Sequence, residues 1–233
     1  MKTFPFFLTV LLISSSMGIP FSKAQGSFCL QPKLTYGDEY LEVQDDIYLI
    51  PGTSLQIAVL KMYIAHLTVS GDCDATSSKV NDYTLLDFFE DNAHIKVYSP
   101  CIISPSANLS FQIGVDSSTH EAGVQSGDLD PMKGMYWTWN SGYIHFKLEI
   151  KDTASSKLDS QTILHLGGYR FGQSTIQQVE CMNFSTYNNQ LCFNIKPLLD
   201  YCQSRGIHQV MSPGLEAVQL SEIIAHSFFM GIR

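Results

Sequence analysis

The stretch from Gly127 to Glu149 narrows the choice of fold more than any other part of this chain. Met135, Trp137 and Trp139 alternate with Tyr136 and Thr138, and that two-residue period puts the three large side chains on one face of a strand. Turn sequences flank the run. Before it stands Asp128-Leu129-Asp130-Pro131, where Asp bonds its own backbone and Pro presets φ; after it comes Asn140-Ser141-Gly142. From Tyr143 to Glu149 a second run points Ile144, Phe146 and Leu148 one way and Tyr143, His145 and Lys147 the other. The reading is a β-hairpin whose aromatic side chains fill a core.

Other runs of strand character recur along the chain with turn signals between them: 28–36, 55–69, 82–88, 94–98, 109–115, 162–166, 176–182 and 191–195. Residues 70–80 and 117–127 are rich in Ser, Thr, Asp and Gly and read as loops. No internal repeat is visible, and no linker divides the chain after residue 24. The expected fold is all-β, an immunoglobulin-like or jelly-roll sandwich formed by residues 25–233. The end of the chain changes period. Ser212 can cap a helix, Pro213 suits its first turn and Glu216 complements its positive end. Ala217, Leu220, Ile224 and Phe228 then form one apolar stripe, so a helix over about 212–230 is expected to pack on the sandwich.

The N-terminus reads as a signal peptide over residues 1–24. Lys2 precedes the apolar run Phe4 to Ile13, and Ser22-Lys23-Ala24 is a small-residue cleavage pattern. The apolar run is too short to span a bilayer, and no second one follows. A periplasmic, extracellular or cell-surface location is expected. Cleavage removes Lys2 and Lys23 and no acid, taking the formal charge from −8 to −10. So acidic a chain, without a basic block, is a poor match for nucleic acid or anionic membranes. All six cysteines, Cys29, Cys73, Cys101, Cys181, Cys192 and Cys202, lie in the exported part. An even number at wide spacings, with no CxxC, favours disulfides over a thiolate metal site, and at least one bridge is expected among Cys181, Cys192 and Cys202.

Several elements together carry a resemblance. Leu60-Lys61-Met62-Tyr63-Ile64-Ala65, Ile113-Gly114-Val115-Asp116-Ser117, the aromatic stretch itself, His165-Leu166-Gly167-Gly168-Tyr169 and Met211-Ser212-Pro213-Gly214 follow one another over roughly residues 28–230. In that order they resemble the MbnP family, extracytoplasmic copper-binding proteins whose relatives include MopE and CorA. The resemblance implies copper held by imidazoles together with kynurenine, an oxidised tryptophan whose freed aromatic amine reaches the metal. It also implies a di-haem cytochrome c peroxidase-like partner, MbnH-like, as the oxidant. Trp137 and Trp139 are the only tryptophans and so the only precursors.

The ligands among the seven histidines are less determined, because no HxH, HxxxH or HExxH spacing occurs. His165 ranks first, since it matches the family's histidine and precedes two glycines where the backbone can approach something closely. His66 and His145 follow, both at positions where the family more often shows other residues. The relatives' histidine two residues beyond the modified tryptophan is missing: Trp139 and Ser141 occupy those places. Met135, on the tryptophan face, is a candidate weak thioether donor, although core filling explains it equally. Asp116, Glu121, Asp128 and Asp130 could gather around calcium, but the EF-hand spacing is absent and turn formation accounts for Asp128 and Asp130. Neither a GxSxG elbow nor a Cys–His nucleophile signature is present, so a copper-handling protein rather than an enzyme is expected. The alternative is a sugar- or peptide-binding module using Tyr136, Trp137, Trp139 and Tyr143 as a stacking platform; it requires those rings to be exposed.

Overall fold

The computed structural model describes residues 26–70, 75–77, 83–90, 93–99, 107–139, 142–154, 161–184 and 189–231. The expected signal peptide, Cys73 and Cys101 lie outside these residues. The longer strands are β1 (Gly26–Tyr36), β2 (Leu55–Ser70), β3 (Tyr83–Asp87), β4 (Ile95–Ser99), β5 (Ala107–Ile113), β6 (Phe146–Asp152), β7 (Gln161–Leu166), β8 (Gln177–Phe184) and β9 (Gln190–Asn194). Among the described residues the α-helices are α1 (Ser117–Glu121), α2 (Lys196–Arg205) and α3 (Leu215–Ala225).

The strands form an all-β sandwich organised on β2. β6 pairs antiparallel with β2 and with β7. β5 pairs antiparallel with β2 and with β8. The opposing part runs from β4 through β1 to β9, β1 and β9 being parallel, and ends on Phe228–Met230. Aromatic rings knit the layers together. Phe146 of β6 meets Phe193 of β9 at 6.0 Å between ring centroids, and Phe111 of β5 meets Phe228 at 5.3 Å. Inward positions alternate as a half-buried strand requires: Phe146, Leu148 and Ile150 are in the core, while Lys147 and Glu149 are not.

One edge of β2 serves two strands in succession. Met62 pairs with Phe146 of β6 on that edge, and from Ile64 onward the same edge pairs with β5. Tyr63 stands at the changeover, its amide donating to the His145 carbonyl (3.0 Å) and its carbonyl accepting from the Gly114 amide (2.9 Å). Just beyond, the register slips between Ala65 and Thr68, and His66 adopts φ 49°, a bulge that bends the strand. Met62 and Ile64 face the main core, whereas Tyr63 and Ala65 face outward. Outward they meet a second apolar cluster with Tyr83, Val115, Leu129, Met135, Trp137, Tyr143 and Ile144. The segment between β5 and β6 is thus laid over the outside of the sandwich and buried against it.

Four expectations need correction. The long aromatic hairpin is a short ribbon, Tyr136–Trp137 paired with Gly142–Tyr143, and its second run breaks at Ile144 and His145 to enter the main sheet as β6. The second run is thus divided between two sheets because β2 offers a partner from Phe146 onward. The 117–127 loop contains α1. The terminal helix is shorter than 212–230: it is preceded by Gly214 rather than capped by Ser212, and Phe228 reaches the core from a strand. Cys181, Cys192 and Cys202 are free thiols, as is Cys29; they sit on β8, β9, α2 and β1. Helix α2 was not anticipated. The final helix does cover the sandwich as expected, burying Ala217, Leu220 and Ile224.

Candidate metal centre

The site begins with the cap of α1. The Asp116 carboxylate accepts hydrogen bonds from the Thr119 amide and the Ser118 hydroxyl, both at 2.7 Å, and from the Tyr83 hydroxyl. Burial by itself pushes the Asp116 carboxyl up, but these bonds outweigh it and hold the group well below the usual carboxylate range. An N-cap of this kind satisfies amides that a one-turn helix cannot satisfy internally. It turns His120 inward, where the side chain is buried. His120 Nδ1 lies 3.3 Å from the Tyr143 amide, which donates to it.

His145 comes from the break in front of β6. It is 1% exposed, and its amide donates to the Leu166 carbonyl. Gly114 makes room for the ring: it has φ 105°, and a Cβ there would stand 2.7 Å from His145 Nδ1. Nε2 of His145 is 2.8 Å from Nε2 of His120, and its Nδ1 is 2.9 Å from the Thr175 hydroxyl. Burial pushes His120 down to about 4, and burial reinforced by His120 pushes His145 well below the ordinary histidine range. Both rings are therefore neutral at neutral pH, the form that can ligate a metal.

Beside the pair lies a cavity of about 90 Å³ whose lining includes His120, Trp137, Tyr143, Tyr169, Arg170 and Gln173. Tyr169 stacks on His120 with centroids 4.4 Å apart and 23° between the planes. Trp137 is buried, and among the described residues its indole N–H finds no hydrogen-bond partner. The two glycines after His165 explain the close packing. A Cβ on Gly167 would lie 2.8 Å from the Trp137 ring and 2.5 Å from the Tyr143 carbonyl; one on Gly168, at φ 135°, would lie 2.4 Å from the Gln173 carbonyl.

The profile of the MbnP family matches residues 25–209. The chain belongs to the MbnP family. Among solved structures it is similar to MbnP from Methylosinus trichosporium, with a TM-score of 0.54 and 12% sequence identity over 76% of this chain and 78% of that one. At that identity the likeness concerns the fold. No curated protein matches the chain.

Of the candidate ligands in this MbnP-family chain, His145 meets His120 through Nε2, and Trp137 lines the cavity that His120 also borders. His165 projects from the outer face of β7, where its Nε2 meets Glu149 at 2.9 Å. Burial lowers its pKa more than Glu149 raises it. His66, on the bulge, has a 45% exposed side chain with Nε2 3.9 Å from Asp116. Met135 is fully buried in the outer cluster with Trp137. Trp139 is 64% exposed and touches Trp137, ring centroids 5.6 Å apart. The carboxylates considered for calcium do not gather: Asp128 pairs with Lys133, Asp130 caps the turn at Met132, and Asp116 caps α1. Among the described residues no three His, Cys, Asp or Glu side chains converge. His120 was not anticipated; the signal for it was Asp116 followed by a turn of helix ending in His120-Glu121, an N-cap hidden within a polar stretch.

Proposed function

We propose that this chain is an exported copper-binding protein whose metal is held by His120 and His145, with a third donor supplied by Trp137 after oxidation to kynurenine. The observation that carries the proposal is the convergence of two buried, neutral imidazoles beside a buried indole whose N–H has no partner among the described residues. Imidazole suits copper, and an aniline nitrogen would complete a nitrogen-donor set. Two nitrogens each about 2 Å from a shared metal stand roughly 2.8 to 4 Å apart, according to the angle between them. The 2.8 Å between the Nε2 atoms lies at the short end of that span. With two imidazoles alone the set is thin, which favours a donor made from a neighbouring side chain. Trp137 lines the cavity beside His120 and Trp139 does not, so Trp137 is the proposed precursor.

The oxidant in this proposal is a di-haem peroxidase of the class that the resemblance implies, and the copper is cargo to be stored or delivered rather than a catalyst. Export rests on the leader-like residues 1–24; among the described residues no helix is long and apolar enough to cross a membrane. The stacking-platform alternative has less support, because Trp137 and Tyr143 are buried and of its four rings only Trp139 is well exposed. Peptide mass spectrometry with copper quantification on protein from its native host tests the proposal. The expected result is loss of one carbon and gain of one oxygen at Trp137, with about one copper per chain, and loss of that copper in His120→Ala and His145→Ala. Unmodified tryptophans without copper after copper-replete growth would overturn it.

A further inference from the structure

The two imidazoles are chemically unequal, and their neighbours say how. A backbone amide can only donate, so His120 Nδ1, which meets the Tyr143 amide, is an acceptor and carries no proton. The His120 proton is therefore on Nε2, pointing at His145 Nε2. That atom must accept, which leaves the His145 proton on Nδ1, donating to the Thr175 hydroxyl. Thr175 is itself fixed: it is 1% exposed, and its amide donates to the Gly168 carbonyl at 3.0 Å. Gly114 packs closely on the same ring, a Cβ there standing 2.7 Å from Nδ1.

We infer that Thr175 is a positioning residue for the proposed copper centre: it locks His145 in the tautomer that presents the Nε2 lone pair, so that His145 is the fixed ligand and His120 the adaptable one. For His120 to ligate through Nε2, it must exchange its Nε2 proton for one on Nδ1. The exchange conserves the proton count, but it breaks the bond from the Tyr143 amide and the bond to His145. His120 has room to turn, because it borders the cavity, whereas His145 does not line it. A ligating histidine commonly donates its other ring N–H to an outer partner that fixes its tautomer and orientation, and Thr175 accepts that bond here. The inference rests on the copper reading above.

Imidazole nitrogen-15 spectra of the purified copper-free protein, with a Cu(I) competition titration against a chromophoric chelator, test this in wild type, Thr175→Val and Thr175→Ser. The spectra should show His145 protonated on Nδ1 and His120 on Nε2. Thr175→Val should move His145 toward the Nε2-protonated form and weaken Cu(I) binding about 10- to 100-fold, and Thr175→Ser should restore both. Wild-type His145 protonated on Nε2 would overturn the inference while copper binding stood. So would a Thr175→Val variant that loses affinity with its tautomers unchanged, since that is the mark of a merely structural role. A wild type with the stated tautomers that takes up no copper would instead overturn the copper reading, and the metal role of Thr175 with it.

Discussion

His120 and His145 are held neutral by burial, and that leaves a trace in the dependence of stability on pH. The folded pKa of His120, about 4, lies below the roughly 6.5 of an unfolded histidine, and His145 is displaced in the same direction. Between those values the unfolded chain binds more protons than the folded one. Stability from these rings is therefore fully present above about pH 6.5 and is lost as the pH falls toward about 4. The thermal midpoint should decline over that window. The double variant His120→Gln, His145→Gln should start lower at neutral pH and decline less steeply through the same window. At this scale the sequence offered Trp137, with Trp139, through the family resemblance, and His145 as the third of three candidate histidines. His165, ranked first for the glycines after it, meets Glu149 instead of the proposed pair, and Gly167 admits the Trp137 ring. Short-range sequence shows that a backbone must be approached closely without showing by what.

The elements differ in how much of their stability is local. β2, at sixteen residues, is a long apolar run, and it was expected over 55–69 and found at Leu55–Ser70. α1 has five residues and depends on its cap. Replacing Asp116 by Ala should lower stability by about 1 kcal/mol in a urea titration and weaken Cu(I) binding by releasing His120, while Asp116→Ser should retain much of both. Helix α2 carried legible punctuation, Pro197 in its first turn and Gly206 just past its end in the left-handed conformation, but its apolar stripe is weak and it passed as a connection. The aromatic hairpin failed as an element for the opposite reason. Its pattern was strong, yet a better partner for the second run lay far away in sequence, and pairing with β2 at Met62↔Phe146 prevailed.

Across the whole molecule, stability and chemistry occupy different layers. Phe193 is fully buried, with Phe88, Phe146 and Phe228 around it at 6.2, 6.0 and 4.9 Å between ring centroids. Truncating it to Ala should cost about 3–5 kcal/mol in chemical denaturation, whereas Trp139→Ala at the exposed end of the ribbon should stay within about 0.5 kcal/mol. The sandwich was legible because apolar runs of strand length recur between turn signals; the site was not, because it is assembled by contacts between strands and a loop that no local pattern announces. One residue joins the two layers. Tyr63 receives both ends of the stretch between Gly114 and His145, one on its carbonyl and one on its amide, and so works as a clasp. A loop closed by a clasp pays little for its contents, since each doubling of length adds only about 0.6 kcal/mol of closure entropy. The stretch can therefore grow, shrink or exchange side chains while the pairing beneath it stands, and a scaffold fastened in this way lends itself to re-tailoring one garment at a time.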